Sequence, residues 1–432
     1  MILRWPQAVV LILTALSSCV ALTAEKLYTD QPPVTPELAF SGPYDVGVST
    51  VKINDPDRLN TANFITTTNR PLLLEIWYPI NLPTQKLKPK RATYKNVTRL
   101  QKPFELQGEA YRDALIVSDG EFPVVLLSHG FTGYRTQMFY LGEHLASHGY
   151  IVIGIDHKDS TNSEVFDDAT RASGFISTLY NRARDQQFVL NYFSASMPGN
   201  SLNNLAKRMD TNNAAIIGHS MGGFGAINTV GGCYDFKSEF FKQGGVPTAI
   251  ALVLPFPLNS CFGGGEQLDP RWKAVQLLAP WGGEASVHDI DAMAKITVPT
   301  FYLAGDQDNT SGFKNGIKRL HERTGSEHNY LLVFANARHN IGPHPAPAAS
   351  FATDFELGHY FDPVWDTETL NRVVEHMSLA FLDCHVKADP ARCAYLPTRE
   401  SSQQYKGAYH QFEDPWKGFK HLWASGLTFY KK

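Results

Sequence analysis

The sequence predicts an α/β fold with a mostly parallel central sheet that helices cover on both faces. The first reason is that short apolar runs alternate with helical segments, a pattern typical of parallel sheets. These runs lie near 122–127, 151–155, 214–217, 274–279, 299–304 and 330–335. The second reason is an apolar run at 214–217 that leads into Gly-His-Ser-Met-Gly at 218–222 and then into small residues. That order predicts a strand, a sharp turn and a helix.

The remaining elements flank this sheet. Residues 25–120 predict early antiparallel strands at 45–53 and 71–78, joined by polar linkers. After the last strand, apolar residues recur at helical spacing and predict a final helix packed on the sheet. They are Leu370, Val373, Val374, Met377, Ala380 and Phe381. The tail at 394–432 mixes polar and aromatic residues, and we expect it to pack on the domain surface.

Ser220 lies at the centre of the sharp turn and is the predicted nucleophile. Glycines two positions before and after it let the backbone bend tightly enough to expose the hydroxyl above the sheet. A serine hydroxyl is a weak nucleophile, so a histidine must accept its proton and a carboxylate must orient that histidine.

The required acid and base follow Ser220 in the chain, each just past a predicted strand. Asp308 follows the strand at 299–304, and the turn at Gly305 lets a residue three positions on return toward the site; Asp306 is the alternative acid. His339 follows the strand at 330–335, and His344 is a competing base. The order serine, acid, histidine is the one this architecture uses.

A reaction at an acyl carbon also needs backbone donors for the developing oxyanion. Met221, directly after the nucleophile, is one predicted donor. Phe131 is the second, because it follows the apolar strand at 122–127 in the segment Ser-His-Gly-Phe at 128–131. The alternative role of Phe131 is a core aromatic at a strand end.

Several of these segments resemble known esterases. Ser-His-Gly-Phe at 128–131, the segment 145–157 and the Gly-His-Ser-Met-Gly-Gly turn resemble the dienelactone-hydrolase-like and platelet-activating-factor-acetylhydrolase-like esterases of the α/β-hydrolase superfamily. The resemblance spans roughly 43–385 and implies an α/β-hydrolase fold and an ester hydrolase. The segment 70–79 is similar to the N-terminal strand of that group, and 182–185 falls where one of its helices would lie.

A second resemblance concerns the acid. The acetylhydrolases place it after strand six, where this chain has Ala279, Pro280 and Trp281 but no aspartate. The segments around Trp281, Asp308 and His339 resemble bacterial cutinases and polyester hydrolases, whose acid follows strand seven. In that group a tryptophan at this place lines the substrate cleft, which implies a substrate-binding role for Trp281.

The first residues predict export. Arg4 precedes the apolar run 8–16, which is too short to span a bilayer, and small residues follow. We therefore predict a signal peptide at 1–24. Leu-Ser-Ser-Cys at 16–19 resembles the bacterial lipobox, which implies membrane anchoring through a lipidated Cys19. Ordinary cleavage near Ala21 or Ala24 is the alternative, so the mature protein is expected to be periplasmic, secreted or lipid-anchored.

Export makes the cysteine count informative, because disulfides form in oxidising compartments. Apart from Cys19 the chain has four cysteines, which allow three pairings. The simplest pairs are Cys384 with Cys393, and Cys233 with Cys261 across an insertion. None lies on a nucleophile turn.

The catalytic domain is predicted at 25–393, with a candidate cap insertion at 234–273. This insertion contains the apolar run 249–257 between glycine-rich flanks. It either borders the active site as an acyl-binding surface or is an ordinary buried segment.

Composition fits a globular enzyme and excludes some partners. Of 432 residues, 43% are hydrophobic, enough for a large core, and the net charge of −3 gives no basic bias for nucleic acid. The histidines lack the spacing of metal ligands, and we expect neither a metal nor a cofactor.

The sequence therefore predicts an exported serine carboxylic-ester hydrolase that acts through an acyl-enzyme on short-to-medium acyl, lipid-like or polyester substrates. The alternatives are a serine peptidase or a thioesterase on the same scaffold, and a non-catalytic surface lipoprotein.

Overall fold

A computed structural model describes residues 24–27, 35–84, 89–195, 203–243, 268–398, 416–420 and 423–432. Four predictions lie wholly or largely outside these ranges. They are the signal peptide at 1–24 with Cys19, the centre of the insertion at 234–273, Cys261, and part of the tail at 394–432.

One eleven-stranded sheet organises the described chain. Its strands are β1 (Asp45–Leu59), β2 (Thr67–Ile80), β3 (Arg91–Val97), β4 (Pro103–Arg112), β5 (Phe122–Ser128), β6 (Ile151–Asp156), β7 (Met209–His219), β8 (Trp272–Leu278), β9 (Thr300–Gly305), β10 (Asn329–Phe334) and β11 (Leu427–Lys431). Their order across the sheet is β11-β10-β9-β8-β7-β5-β6-β2-β1-β4-β3. The six strands from β6 to β10 in this order are mutually parallel, whereas β2 and β11 pair antiparallel with them. This arrangement confirms the predicted mostly parallel sheet.

Helices connect the parallel strands and pack on the sheet. They are α1 (Phe139–Ser147), α2 (Asp168–Ser194), α3 (Asn203–Ala206), α4 (Met221–Thr229), α5 (Glu239–Gln243), α6 (Ile290–Ala294), α7 (Lys318–Arg323), α8 (Asp354–Leu357), α9 (Thr367–His385) and α10 (Pro390–Cys393). Helix α1 packs against α9, and α2 packs against α4. Single turns of 3₁₀ helix lie at Glu37–Ala39, Leu82–Thr84 and Ala348–Ala352, and a π-helical turn lies at Phe313–Ile317. Within the described ranges, no helix is both long and apolar enough to cross a bilayer.

Local sequence explains where the two long helices begin. The side chain of Asp167 accepts a hydrogen bond from the amide of Thr170, and the Asp167 amide donates to the hydroxyl of Thr170, so α2 begins with a capping box. Asp366 caps α9 through the amide of Thr369 at 2.8 Å. Helix α9 contains the predicted apolar stripe from Leu370 to Phe381, and all six of its residues are buried.

The sheet has more strands than the sequence pattern predicts. Residues 91–112 were expected to be polar linkers, but they form the antiparallel pair β3 and β4. These strands lie at the sheet edge and bury only alternate residues, so they lack the continuous apolar run of a central strand. The tail residues 427–431 form the opposite edge strand, β11.

Two groups of apolar side chains fill the interior. The main core lies on the sheet, and a second group lies beside the start of α4. We call the second group the aromatic cluster; it comprises the buried Tyr180, Met221, Phe224, Tyr234 and Val287 with ten partly buried neighbours that include Phe131, Phe175, Phe240 and Trp281.

The cysteines agree with the simplest pairing as far as they are described. Cys384 and Cys393 form a disulfide that closes a short loop after α9. Cys233 is also disulfide-bonded, and its predicted partner, Cys261, lies outside the described residues.

Candidate active site

Four loops that follow parallel strands meet at one edge of the sheet. They follow β5, β7, β9 and β10, and the strands that they leave are neighbours or near neighbours. In open α/β sheets, ligands bind outside the carboxyl ends of the strands. Each predicted site residue except Trp281 lies on one of these four loops, and Trp281 lies on the loop after β8.

Ser220 lies between β7 and α4 in a strained backbone conformation. Its φ of 53° and ψ of −116° are rare for a residue with a side chain. The flanking glycines are needed for contact reasons: a Cβ on Gly218 would collide with the backbone of Gly222, and a Cβ on Gly222 would collide with the carbonyl of Ser128. The turn therefore has the geometry of a nucleophile elbow.

Asp308 and His339 are in direct contact. The Nδ1 atom of His339 lies 2.8 Å from Oδ2 of Asp308. The other carboxylate oxygen, Oδ1, accepts hydrogen bonds from the amides of Thr310 at 2.8 Å and Ser311 at 2.9 Å. The carboxylate is thus fixed on one side by the backbone and faces the imidazole on the other.

The pKa of Asp308 lies below its ordinary value. Burial alone would raise this pKa, but the nearby His339 and the amides of Ser311 and Thr310 stabilise the ionised form more strongly. An ionised Asp308 holds the proton of His339 on Nδ1 and leaves Nε2 to accept a proton from elsewhere.

The loops that hold this pair are locked together. A Cβ on Gly305 would collide with the carbonyl of Ala337, and the amide of Gln307 donates to the same carbonyl at 2.9 Å. The turn at Gly305 therefore lets the loop after β9 approach the loop after β10, as its position in the sequence predicts.

The two alternative residues have other contacts. Asp306 is half-buried on this loop and accepts a hydrogen bond from the amide of Asn336 at 2.7 Å. His344 is buried, with Nε2 2.6 Å from the hydroxyl of Tyr134 and Nδ1 2.7 Å from the carbonyl of Pro345. Neither contacts the Asp308–His339 pair through these bonds, so the geometry favours Asp308 and His339.

Ser220 and His339 line one cavity of about 460 Å³. The two loops that supply them also touch, because Nε2 of His219 lies 3.3 Å from the carbonyl oxygen of His339 and the two rings are 5.1 Å apart. Gly130 and Phe131 line the same cavity. The structure therefore brings the predicted nucleophile, base and one predicted oxyanion residue to a common space.

The predicted oxyanion donors flank the serine. Met221 is the first residue of α4, where amides have no partner within the helix and the helix dipole favours negative charge. Gly130 approaches the serine so closely that a Cβ there would lie 3.3 Å from Cβ of Ser220. The loop that contains Phe131 is therefore beside the nucleophile.

Trp281 lies next to Ser220 but outside the described lining of the cavity. Its amide donates to the carbonyl of Ser220 at 3.1 Å. Its ring is half-buried in the aromatic cluster, 5.6 Å from the ring of Phe175 and 5.5 Å from those of Phe224 and Phe240. Trp281 therefore belongs to an apolar flank of the serine rather than to the polar cavity.

A buried polar network beneath the site was not singled out by the sequence patterns. Asp185 of α2 pairs with Arg70 at 2.7 Å, Arg58 at 3.1 Å and His157 at 3.1 Å, and His157 continues to the hydroxyl of Ser128 at 2.8 Å. Burial raises the pKa of Asp185, but these partners outweigh it and hold the pKa below its usual range. The network fixes the end of β5, which leads to the loop of Phe131.

In the described part of the chain, no group of three or more His, Cys, Asp or Glu residues is arranged to hold a metal ion. The chemistry available at the site is instead that of a serine, a histidine, a carboxylate and backbone amides. A mostly parallel sheet with a serine elbow at the carboxyl edge defines the α/β-hydrolase class.

Comparisons with known proteins agree with this class. A family model described as PET hydrolase-like matches residues 114–234, a segment that includes Phe131 and Ser220 but ends before Asp308 and His339. The chain is similar to cutinase est1 of Thermobifida alba, with 30% identity over 117 residues that cover 27% of this chain and 33% of that protein. It is also similar to the platelet-activating factor acetylhydrolase of Cavia porcellus, with 23% identity over 300 residues, 62% of this chain and 58% of that protein.

A solved structure matches over more of the chain. The ferulic acid esterase from Streptomyces cinnamoneus has a TM-score of 0.52 and 18% identity, and the match covers 85% of this chain and 95% of that one. The chain matches only about a third of the length of the curated cutinases. Taken together, the fold is that of an α/β-hydrolase, and the chain is similar over part of its length to esterases of that class.

Proposed function

We propose that this chain is an exported serine carboxylic-ester hydrolase that works through an acyl-enzyme intermediate. The observation that supports this most directly is the common cavity. It is lined by Ser220 on its strained elbow and by His339, whose Nδ1 lies 2.8 Å from the carboxylate of Asp308.

The proposed reaction has two halves. His339 accepts the proton of Ser220 as the hydroxyl attacks the ester carbonyl, and the amides of Phe131 and Met221 bind the resulting oxyanion. The proton passes to the leaving alcohol, and the acyl group remains on Ser220. Water then attacks the acyl-enzyme by the same route and releases the acid.

The aromatic cluster supports short-to-medium acyl, lipid-like or polyester substrates. Phe131, Phe175, Phe240 and Trp281 are half-buried rings on one flank of the serine, and successive ring centroids lie 5.5 to 6.4 Å apart. Half-buried rings can bury further apolar area against an acyl chain or an aromatic monomer, which favours binding. Relatives of this chain include proteins named cutinase and a protein named bis(hydroxyethyl) terephthalate hydrolase, and we include polyester-type substrates for this chain as part of the proposal.

Export is supported by the N-terminal sequence and by the disulfide. Residues 8–16 form an apolar run preceded by Arg4. The Cys384–Cys393 bond fits an oxidising compartment. Cell fractionation with mass analysis of the mature N-terminus tests this part; a Cys19→Ser variant that leaves the membrane fraction would support lipidation, and cleavage after Ala21 or Ala24 would contradict it.

The central experiment is hydrolysis of 4-nitrophenyl esters from acetate to palmitate by the purified mature protein and by its Ser220→Ala variant. We expect turnover that falls by at least about 10³-fold in the variant, because the nucleophile and its base act as a unit. The chain-length optimum would separate an acetyl-selective enzyme from a lipase-like one.

Labelling with a fluorophosphonate probe provides the companion measurement. Ser220 should be labelled in the wild type and not in the variant. Turnover that survives in the Ser220→Ala protein would refute the assignment of the nucleophile. Absence of both turnover and labelling in the wild type would refute the enzyme proposal and favour a binding role.

A further inference from the structure

The cavity beside Ser220 has an unusual charge balance. Its described lining contains two arginines, Arg99 and Arg338, and three histidines, but no aspartate or glutamate. A substrate group that enters this cavity therefore meets positively charged hydrogen-bond donors, and no carboxylate of the described lining competes for them.

Arg99 is held in place without an acidic partner. Its Nη2 donates to the carbonyls of Phe131 at 3.3 Å and Thr132 at 3.4 Å, and no carboxylate of the described chain lies within ion-pair distance of it. Burial and the nearby Arg171 lower the pKa of Arg99 to about 10, so it stays charged at neutral pH. Arg99 is half-buried at the cavity wall, so an anion that enters the cavity can pair with a partly desolvated charge.

The carboxylates near this region form no ion pair with Arg99 or Arg338 in the described structure. Glu356, which is buried, accepts a hydrogen bond from the amide of Leu100 at 2.6 Å through Oε1, and its Oε2 has no hydrogen-bond partner among the described residues. Asp362 accepts from the amide of Arg338 at 2.7 Å and from two further amides. Asp308 is turned toward His339. None of them neutralises a guanidinium that lines the cavity.

Arg338 adds a second cation next to the base. It directly precedes His339 and is exposed at the cavity. Its guanidinium makes no hydrogen bond or ion pair with any described residue. A guanidinium suits oxyanions because its donors form a fork that matches a carboxylate or a phosphate.

Building on the proposed function, we propose that Arg99 and Arg338 bind an anionic group of the ester substrate, so that the preferred substrates are esters with a free carboxylate or phosphate. Monoesters of dicarboxylic acids are the simplest such compounds. Arg99 contacts the carbonyl of Phe131, whose own amide is the predicted oxyanion donor, so the anionic group binds in the same cavity as the scissile ester. The aromatic cluster on the other flank accepts the apolar part.

The first test compares three substrates of equal chain length. They are mono-4-nitrophenyl suberate, its neutral ω-methyl ester, and 4-nitrophenyl octanoate. We expect kcat/KM for the monoanion to exceed that for the methyl ester by roughly tenfold or more, since hydrogen bonds to charged groups have about this strength. The preference should shrink in 0.5 M salt, because ions screen an exposed pair.

Variants separate binding from positioning. Arg338→Gln should lower kcat/KM for the monoanion by roughly tenfold. The ratio of kcat/KM for the octanoate to kcat/KM for the methyl ester should stay as in the wild type. Arg99→Gln should remove most of the remaining preference, and Arg99→Lys should keep part of it. Arg208→Gln, at the other end of the sheet where Arg208 contacts the carbonyl of Gly120, is the matched loss of charge and should keep the full preference.

A binding measurement keeps the inference testable without turnover. The Ser220→Ala protein should bind monomethyl suberate more tightly than dimethyl suberate by calorimetry, and adding Arg338→Gln should remove the difference. Methyl 7-phosphonoheptanoate, measured in the same assay, distinguishes the two anion types, because the tighter of the two ligands shows whether the arginines prefer a phosphonate or a carboxylate.

The outcomes separate the two proposals. Equal binding of neutral and anionic esters by the Ser220→Ala protein would overturn the inference, and hydrolysis of the neutral esters by the wild type would show that the proposed function survives it. An Arg99→Gln variant that slows all substrates equally, together with an Arg338→Gln variant that changes none, would overturn it in favour of a purely positioning role for Arg99.

Discussion

The two flanks of Ser220 differ in chemistry. On one side, Trp281 and its neighbours form an aromatic cluster whose rings contact one another. On the other side, the cavity has two arginines and no acidic residue in its described lining. Phe131 belongs to both, because its ring contacts Phe175 while its carbonyl accepts from Arg99.

This difference suggests a division of labour. In the proposed mechanism, the nucleophile, base and acid are shared by every ester that reaches Ser220, whereas each flank acts only on the part of the substrate that it contacts. Loss of the shared machinery should therefore affect all substrates alike, and changes on one flank should alter selectivity.

Asp308→Asn gives the largest expected effect and tests the shared part. An amide cannot hold the His339 proton on Nδ1 as a carboxylate does, so we expect kcat to fall about 10³- to 10⁴-fold. The loss should be similar for acetate, octanoate and suberate esters, measured by steady-state kinetics.

Asp306→Asn is the matched control, because this aspartate lies two positions earlier and its carboxylate accepts hydrogen bonds from the amide of Asn336 and the side chain of Gln307 rather than from His339. It should reduce kcat by no more than about threefold, the scale of a surface hydrogen bond. If Asp306→Asn is the more damaging change, the acid is misassigned.

The aromatic flank contains a titratable group that predicts acid sensitivity. His288 is buried against Phe224 and Tyr234, and neither ring nitrogen has a hydrogen-bond partner in the described structure. Burial lowers the pKa of His288 to about 3 from an ordinary 6.5. The unfolded chain therefore binds a proton that the folded chain does not, and the stability due to neutral His288 is complete above pH 6.5 and is lost as the pH falls.

His288→Phe should remove this loss of stability at low pH. At pH 7.5 we expect a small change in the free energy of unfolding, and near pH 4.5 we expect the variant to be more stable than the wild type by about 3 kcal/mol. Denaturant unfolding at both pH values measures this, with the exposed His328→Phe as the matched control. Parallel pH profiles for the wild type and His288→Phe would contradict a buried neutral histidine.

Trp281→Ala should have the smallest effect and should be selective. The backbone contact of Trp281 with Ser220 is kept, but the ring is lost from the apolar flank. We expect kcat/KM to fall about tenfold for 4-nitrophenyl octanoate, equivalent to about 1.4 kcal/mol of lost apolar burial, and clearly less for acetate.

Phe188→Ala is the control for loss of a half-buried ring on the same scaffold. Phe188 lies on α2 beside Tyr192, away from the aromatic cluster. It should not change the ratio of octanoate to acetate turnover. Equal losses on both esters in Trp281→Ala would show that the flanks are not distinct in the way proposed.

Strong local patterns made most of the fold predictable. The central strands are continuous apolar runs, and the observed limits of β5, β6, β9 and β10 differ from the predicted ones by one residue at most. The edge strands β3, β4 and β11 were missed because they bury only alternate or few residues. The pairing of β11 depends on β10, a strand distant in the chain, whereas β3 and β4 pair with each other across a short connection.

Local sequence alone determined the serine elbow. Gly218 and Gly222 are required by contacts within a few residues of Ser220 and with the neighbouring strand, so the motif specifies its own geometry. The strand ends before Asp308 and His339 also followed from the sequence, because each is a short apolar run with a turn behind it.

Only the tertiary structure brought Asp308 rather than Asp306 into contact with His339, placed Trp281 on the aromatic flank, and brought Arg99 to the cavity. Arg99 comes from the segment between two edge strands, and its neighbours in space are Phe131 and Thr132, more than thirty positions away. The charge balance of this cavity depends on side chains that come together from distant loops. The order of residues along the chain does not give the distances between them, so no sequence pattern predicts this balance.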